Sequence, residues 1–338
     1  MTTKTKLQIT RRNLLVAGGA FAVPLAAPAV VRGQGAVRLT LGHNAAIGNP
    51  RSVAADRMAQ QLKERSNGRI DLRVAGAAQL GDDLAVLTGL RTGTVDLSVN
   101  SQGPISTVVP DLAAFGLPFL FPTSQAAYGV IDGPVGQELA KKLEGVGLIS
   151  LGWWDNGIRH ITNSKRSITV PADLRGLKIR TPADPSTIDT FQALGAATQQ
   201  INFSELYVAL QQGVVDGQEN PLANIHSSKL HEVNRFISLS SHQWQCSPFI
   251  ASRIAWGRLT EADRKLITEV GREATEHNRK LMIESDEKLL AEYRANQALT
   301  INAVDQNAFR AATAPVLDKW EQKPFGDFVK RLRAAAGS

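Results

Sequence analysis

The hydrophobic and polar positions of the chain alternate first with a period of two, then with helical spacing, and then with a period of two again. Val37–Gly42 carries an apolar residue at every second position and ends in glycine, which is typical of a β-strand. Residues 51–66 have the spacing of an amphipathic helix, and residues 69–74 alternate again. A strand, a helix and a strand in this order form a βαβ unit, which predicts a parallel sheet with helices on its faces.

A seven-residue pattern, leucine-x-x-glycine-x-valine-aspartate, occurs twice. It covers residues 90–96 and residues 210–216. Its glycine suits the left-handed conformation that ends a helix, and a short strand is expected to begin just after it. The repeat favours two related α/β lobes.

The longest helical pattern runs from Thr260 to about Gln297 without a proline. Thr260 with Asp263 resembles a capping box at its start. A continuous helix of this length would measure about 55 Å at 1.5 Å per residue, which is longer than a typical domain is wide. We therefore expect it to bridge both lobes or to break near Gly271. A short strand and an amphipathic tail that ends near Arg333 follow.

The start of the chain has the charge pattern of an export signal. Two lysines and the pair Arg11 and Arg12 precede an uncharged, largely apolar run over residues 14–31, and paired arginines at this place are the twin-arginine export pattern. Glycines and prolines interrupt the run, which argues against a membrane anchor. Residues 1–29 are therefore predicted to be a cleaved twin-arginine-type signal, with cleavage as late as residue 36, and the mature protein is expected in the periplasm.

The predicted signal also accounts for much of the positive charge. The chain has 38 Lys and Arg against 31 Asp and Glu, a net charge of +7, and loss of the four basic residues among residues 1–29 leaves 34 against 31, or +3. No basic cluster with interleaved aromatics remains, so nucleic acid is not an expected partner. The single cysteine, Cys246, has no partner for an internal disulfide and is expected to be a small buried side chain.

Most motifs of catalytic and metal chemistry are absent. The sequence has no phosphate-binding glycine loop, no dinucleotide fingerprint, no zinc-protease motif and no nucleophile elbow, and its six histidines are scattered. Neither a metal nor a cofactor is predicted. Asp155, His160 and Ser247 resemble a catalytic set, but nothing frames the serine as a nucleophile, so His160 is interpreted as structural and no enzyme is expected.

Two arginines each follow a predicted strand. Residues 147–152 form an apolar strand that leads to Arg159, and the stretch GLKIRTP, residues 176–182, alternates up to Arg180 and stops at a proline. Ligands of open α/β sheets bind just outside the carboxyl ends of strands. A guanidinium there can grip a carboxylate through two parallel N–H bonds, although a surface arginine that lies over apolar neighbours fits the same pattern.

Eight segments of the mature chain then carry a resemblance to a known family. They are LGHN at 41–44, QLGDD at 79–83, LPFLF at 117–121, NGIR at 156–159, TNSKR at 162–166, GLKIRTP at 176–182, FSE at 203–205 and VDGQENP at 215–221. Through these segments the chain resembles the substrate-binding proteins of tripartite ATP-independent periplasmic (TRAP) transporters, the C4-dicarboxylate-binding-protein-like family. The last two motifs, in this order and spacing, are the most specific.

The resemblance implies an α/β fold, that of a two-lobed, type II-like periplasmic binding protein with crossing strands and a long helix that spans both lobes. Lobe I would comprise 37–156 with about 246–285. Lobe II would comprise 157–245 with about 286–338.

The resemblance also implies a ligand site between the lobes. Arg180 would make the principal salt bridge to a ligand carboxylate, Arg159 would add a second contact, and Asn220 would hydrogen-bond the same end of the ligand. Phe203 would supply an apolar wall. Further candidates, placed by their position in the chain, are Asn44, Asp83, Ser101, Trp154, His242, Trp244 and Gln245.

The implied function is capture of a small organic acid and its delivery to TRAP membrane subunits, without chemistry and mostly as a monomer. The several polar candidates and the indole faces favour a sugar acid, either a uronate or an aldonate. A C4-dicarboxylate or a 2-oxo acid is the alternative ligand. A ligand-binding module for a sensor or for another type of transporter is the alternative class.

Overall fold

The structure, a computed structural model of the protein, describes residues 1–3 and 35–337. Apart from its first three residues, the predicted export signal lies outside the described residues. The chain divides into two compact units, Met1–Gly35 and Ala36–Ser338, and the fold reported below is that of the second unit. Among the helices of the described part, none has the length and apolar character needed to cross a membrane.

The described residues of this unit form strands and helices with the following bounds. The strands are β1 Val37–Gly42, β2 Ile70–Ala75, β3 Leu97–Ser98, β4 Leu148–Asn163, β5 Lys178–Thr181, β6 Ala197–Gln200, β7 Gly217–Asn220, β8 Phe236–Ser252 and β9 Thr300–Ala303. The helices are α1 Pro50–Arg65, α2 Asp83–Thr92, α3 Gln102–Ile105, α4 Ser124–Ile131, α5 Pro134–Gly145, α6 Pro185–Ala193, α7 Leu206–Gln211, α8 Leu222–Ser227, α9 Leu230–Val233, α10 Arg253–Gly257, α11 Glu261–Ala295, α12 Gln306–Glu321 and α13 Gly326–Ala336. Short 3-10 helices cover Pro110–Gly116, Pro171–Leu174 and Phe203–Glu205.

All nine of these strands belong to one sheet, in the order β2-β1-β3-β8-β4-β7-β5-β6, with β9 also paired to β8. β4 and β8 lie at the centre and run antiparallel to each other along most of their length. Parallel pairs flank them on both sides, β1 with β2 and β3 on one side and β5 with β6 and β7 on the other. We call the side of β1–β3 the first lobe and the side of β5–β7 and β9 the second lobe.

This arrangement is the predicted α/β, two-lobed fold with crossing strands. The residue boundaries of the lobes given above stay a prediction, because β4 and β8 run through both sides without a break. The last two helices pack against the first lobe, although the predicted boundary assigns them to lobe II. Their side chains share one apolar cluster with side chains of residues 86–148, through Val316 and Trp320 of α12 and Phe328, Val329 and Leu332 of α13.

The predicted long helix is continuous. α11 has 35 residues, or about 52 Å at 1.5 Å per residue, and begins at Glu261, just after its N-cap Thr260, whose hydroxyl accepts a hydrogen bond from the backbone N–H of Asp263. Ile267 and Val270 pack in the core of the first lobe, whereas Met282 packs in that of the second lobe. The helix therefore bridges both lobes, as the sequence predicted.

The repeated pattern occupies equivalent places in the two lobes. Gly93 ends α2 with φ +79, and Gly213 follows α7 with φ +71, so both adopt the expected left-handed conformation. The aspartate of the first copy, Asp96, accepts a hydrogen bond from the backbone N–H of Thr40 in β1. Asp216 of the second copy accepts one from Lys178 in β5. The repeat thus joins a helix end to the neighbouring parallel strand in both lobes.

One strand boundary was predicted wrongly. The apolar pattern ended near residue 152, but β4 continues to Asn163 and contains Arg159 in its interior. Its pairing with β8 shifts register at three places, and Gly152 and Gly157 have φ values of +156 and +109. Such bulges let a strand bend and continue. They also interrupt the alternation of apolar and polar residues, so the sequence pattern appeared to end where the strand continues.

Candidate functional site

Arg180 lies in a cavity between the two lobes, in two adjoining pockets that share its side chain. It is the third residue of β5, and Pro182 stands just beyond the strand end. The side chain is only 3% exposed. Its Nε donates to the carbonyl of Ile201 at 2.8 Å, and its guanidinium carbon lies 5.8 Å from the centroid of the Phe203 ring. Arg180 is therefore a buried guanidinium whose orientation is fixed by its contacts with Ile201 and Phe203.

The two terminal nitrogens of Arg180 are its distinctive feature. The hydrogen bonds and ion pairs found among the described residues employ its Nε only. Burial lowers the pKa of Arg180 to about 10, so the group remains charged at neutral pH. A buried guanidinium whose two outer N–H groups point into a cavity has the geometry to hold a carboxylate through two parallel bonds.

Arg159 also lines the cavity, but most of its donors are already engaged. Its Nε and one terminal nitrogen bind both carboxylate oxygens of Glu219, at 2.5 and 2.7 Å. The same terminal nitrogen approaches Asn220, and the other donates to Gln245 at 3.1 Å. Arg159 is 2% exposed and Glu219 is fully buried. The pair is therefore electrically neutral, and Arg159 has one unused N–H for a ligand.

A chain of amides connects this pair to the first lobe. Asn224 of α8 donates to the side-chain oxygens of Asn220 and Asn156, each at 3.2 Å. Asn156 in turn donates to the hydroxyl of Ser101 at 3.2 Å and accepts from Arg51 of α1. These contacts fix the orientation of the amides beside the cavity, because each carbonyl oxygen is bound by a donor.

The wall from the first lobe contains Asn44 and Asp83. The amide of Asn44 donates to one oxygen of Asp83 at 2.8 Å, and Arg51 donates to the carbonyl of Asn44. The other carboxylate oxygen of Asp83 is buried and has no hydrogen-bond partner. Burial raises the pKa of Asp83 to about 6. This oxygen can accept a hydrogen bond from a ligand hydroxyl.

The cavity brings together eight of the eleven predicted site residues. They are Arg180, Arg159, Asn220, Phe203, Asn44, Asp83, Ser101 and Gln245. Their role as ligand contacts stays a prediction.

The other three predicted residues lie behind the cavity, which corrects their expected position. Trp154 is fully buried against Phe249 in the core beneath β1 and α1. The Trp244 indole packs in an aromatic cluster and donates to Asp155 at 2.8 Å. His242 is fully buried behind the Arg159–Glu219 pair, with its Nε2 3.3 Å from a carboxylate oxygen of Glu219 and its Nδ1 2.8 Å from the hydroxyl of Ser240. Side chains of a strand alternate between its two faces. The register shifts of the β4–β8 pair interrupt this alternation, so the sequence could not predict which residues of these strands face the cavity.

Several residues that shape the site were missed by the sequence analysis. Asn224 lines the cavity, and Glu219 and Arg51 hold its arginines and amides in place. Glu219 lies next to Asn220 inside the VDGQENP motif, and Asn224 follows Asn220 by four residues. Their position in or near this motif could have identified both residues from the sequence. No such motif surrounds Arg51, which is an arginine in the first turn of a helix.

The catalytic set considered from the sequence is not assembled. Asp155 accepts hydrogen bonds from Trp244 and Tyr128, and the Nδ1 of His160 accepts one from the backbone of Ser241 at 3.2 Å. Among the described residues, no hydrogen bond or ion pair joins Asp155, His160 and Ser247 to one another. Within the same part of the chain, no group of three or more His, Cys, Asp or Glu side chains is arranged to hold a metal ion.

Comparison with known proteins points to one family. The model of the DctP family, bacterial extracellular solute-binding protein family 7, matches residues 41–323. The uncharacterized protein y4mM of Sinorhizobium fredii is 54% identical over 317 residues, which are 93% of this chain. The match spans only 58% of that protein's own length.

Solved structures agree with the family match. The sugar acid binding protein DctPAm of Advenella mimigardefordensis, in complex with galactonate, has a TM-score of 0.87 at 30% identity and covers 90% of this chain and 98% of its own. A TRAP solute-binding protein of Polaromonas sp. JS666 bound to D-erythronate has a TM-score of 0.84 at 33% identity, over 88% of this chain and 98% of its own. Another from Sulfurospirillum deleyianum holds succinate, with a TM-score of 0.85 at 30% identity over 89% of this chain and 100% of its own.

Proposed function

The chain belongs to family 7 of the bacterial extracellular solute-binding proteins, and on that premise we propose that it captures a small organic acid between its lobes. The carboxylate of the ligand binds the two outer nitrogens of Arg180. Asn220 and the remaining N–H of Arg159 complete its coordination.

The observation that carries this proposal is the difference between the two arginines. Arg159 is neutralised by Glu219, whereas the outer nitrogens of Arg180 have no partner among the described residues. A buried charge is costly unless it is paired and hydrogen-bonded. A ligand carboxylate supplies the direct ion pair and the acceptors that the outer nitrogens of Arg180 lack.

The rest of the cavity favours a sugar acid over a second anionic group. Asn44, Ser101 and Gln245 offer amides and a hydroxyl, and Asp83 offers an acceptor oxygen without a partner. A uronate or an aldonate would present hydroxyls to these groups, whereas a second carboxylate would meet the acidic Asp83. Galactonate and D-erythronate in two similar proteins support this choice. Succinate in a third keeps a C4-dicarboxylate as the alternative, together with a 2-oxo acid.

The protein acts outside the cytoplasm, in the periplasm, and residues 1–29 direct it there by the twin-arginine route. It then delivers the acid to TRAP membrane subunits and performs no chemistry on it.

The test is calorimetric titration of the protein and of Arg180→Ala with D-galactonate. The substitution is expected to weaken binding by at least about 100-fold, since it removes both bonds of a desolvated ion pair. Arg272→Ala, at an arginine whose side chain is 70% exposed, serves as the control and should bind as the parent does. Unchanged affinity after Arg180→Ala would rule out the carboxylate role.

A thermal-shift screen of acids decides the ligand class. A ligand present at 100 times its dissociation constant stabilises by about 2.7 kcal/mol. We expect uronates or aldonates to give the largest shifts, and a larger shift with succinate or pyruvate would favour the alternative.

A further inference from the structure

A second pocket lies behind the crossing strands, on the face of β4 opposite to Arg159. Ile158 and His160 line it, while Arg159 between them lines the ligand cavity. It encloses about 370 Å³, which is in the range of small-molecule sites. Most of the exposed lining is apolar, from the side chains of Leu239 and Leu290 among others.

Both lobes and the bridging helix contribute to this pocket. Residues 122–125 come from the first lobe and Leu222 from the second, and Ile283 and Leu290 project from α11. A molecule bound in this pocket would therefore contact both lobes, the crossing strands and α11.

The polar groups of this pocket are few and mostly acidic. One carboxylate oxygen of Asp286 is buried without a hydrogen-bond partner, and Glu287 lies at the exposed rim. No lysine or arginine is present among the described residues that line the pocket. His160 accepts a hydrogen bond at Nδ1 from Ser241, and burial lowers its pKa to about 3, so it is a neutral imidazole with its proton on Nε2.

We propose that this pocket is a binding site for a small organic cation, an ammonium group carried on an apolar body. The ammonium donates to the unpartnered oxygen of Asp286, and the apolar body packs on Ile158, Leu239 and Leu290. Leaving a carboxylate oxygen buried without a donor is costly, and an ammonium satisfies both its charge and its lone pairs. An anionic ligand is disfavoured, because two carboxylates and no fixed cation face it.

The experiment is a calorimetric titration of the purified protein with benzylamine at about pH 8, where the amine is an ammonium and Asp286, whose pKa burial raises to about 7, is largely ionised. We expect saturable binding with a dissociation constant in the millimolar range, which is usual for so small a ligand. Benzyl alcohol, which has the same shape but no charge, should bind at least about tenfold more weakly. Absence of saturation up to about 20 mM amine, or equal binding of the alcohol, would overturn the proposal.

Two variants locate the binding. Asp286→Asn should weaken benzylamine binding by at least about tenfold. Asp83→Asn is the matched control, because Asp83 is the other cavity carboxylate with an unpartnered buried oxygen, and this variant should bind the amine as the parent does. The opposite result would place the amine in the acid site and refute the proposal. If Asp286→Asn does not fold, Leu290→Trp fills the same pocket and should abolish binding in a protein with a native thermal transition, and retained binding there would refute the proposal as well.

Discussion

The two cavity arginines show how residues of one type acquire different roles from their partners. Glu219 neutralises the charge of Arg159 and accepts hydrogen bonds from most of its N–H groups, so the two side chains form a buried ion pair beside the cavity. Arg180 is anchored through Nε alone and offers its outer edge to the cavity. The first pair is thus expected to matter for stability and the second arginine for affinity.

Glu219→Gln tests the structural role of the buried pair. It leaves the charge of Arg159 buried without compensation, which typically costs about 3–5 kcal/mol. Urea unfolding should therefore show a loss of this size in the free energy of unfolding. Glu273→Gln is the control, because Glu273 pairs with Arg65 where both side chains are more than a third exposed, and such pairs contribute less than about 1 kcal/mol. A loss of similar size in both variants would contradict this account.

Asp286 predicts a pH dependence of stability. Burial, with a smaller contribution from Asp155, raises the pKa of Asp286 from 3.8 to about 7. Between these pH values the folded protein holds a proton that the unfolded chain has lost, so the free energy of unfolding falls as the pH rises from about 4 to about 7. Asp286→Asn has no such proton to lose. The variant should therefore be more stable than the parent at pH 8, by as much as about 4 kcal/mol, and little different near pH 4.

The measurement is urea unfolding of parent and variant at both pH values. Glu287→Gln, at the exposed neighbour on the same helix, is the control and should change stability by less than about 0.5 kcal/mol. An equal difference between parent and Asp286→Asn at both pH values would show that Asp286 does not titrate in this window.

At the scale of elements, α11 is held at Gly271 by packing rather than by helix propensity. Gly271 was the one position where the sequence suggested a break. A Cβ atom there would lie 2.6 Å from the ring of Phe249 in β8. The glycine therefore lets the helix pass close to a crossing strand, and the tight contact offsets its low helix propensity.

Gly271→Ala is expected to destabilise the protein although alanine favours helices. The gain in propensity is about 1 kcal/mol, whereas forcing a methyl group into a packed core typically costs about 1–3 kcal/mol. Gly129→Ala in α4 is the matched control, because a Cβ there meets nothing within 4 Å, and it should stabilise by up to about 1 kcal/mol. Thermal and urea unfolding of both variants check the opposite signs, and stabilisation by Gly271→Ala would contradict the close approach.

At the scale of the whole molecule, polar contacts hold the lobes together beside the cavity. Asn49, the N-cap of α1, donates to the side chains of Asn224 and Ser227 in the second lobe, at 2.9 and 3.1 Å. Its carbonyl oxygen accepts from the backbone N–H of Arg51 and so caps the helix. One amide thus caps α1 and joins the two lobes.

Asn49→Ser separates these two roles. Serine remains a good N-cap but loses the amide that reaches the second lobe. Two hydrogen bonds between the lobes are worth about 1–2 kcal/mol, so acid binding between lobes held in this arrangement should weaken by about tenfold. Thr123→Ser, which changes the N-cap of α4, is the control and should leave affinity unchanged. Equal affinity of Asn49→Ser and the parent in calorimetry would show that this contact between the lobes does not contribute to acid binding.

Much of the fold was predictable because its signals are local. The βαβ start, the two left-handed glycines and the helix from Thr260 onward follow from periodicity and caps within short segments. Arg180 was identified for a similar reason, since a strand that stops at Pro182 places it at the edge of a sheet. The motifs around it then indicated the family.

Local patterns and motifs were thus enough to predict several of the elements, the two-lobed fold and the place of Arg180 at the edge of the sheet, and its role as the principal ligand contact stays a prediction. The tertiary structure decided which charges are compensated, because Arg159 meets Glu219 only when β4 pairs with β7 across 60 residues of chain. It also decided that Trp154 and Trp244 are core side chains, since bulges in β4 set the face that each strand residue takes. The pocket at Asp286 exists only where both lobes meet α11. Such facts depend on distant segments coming together, and no local pattern encodes them.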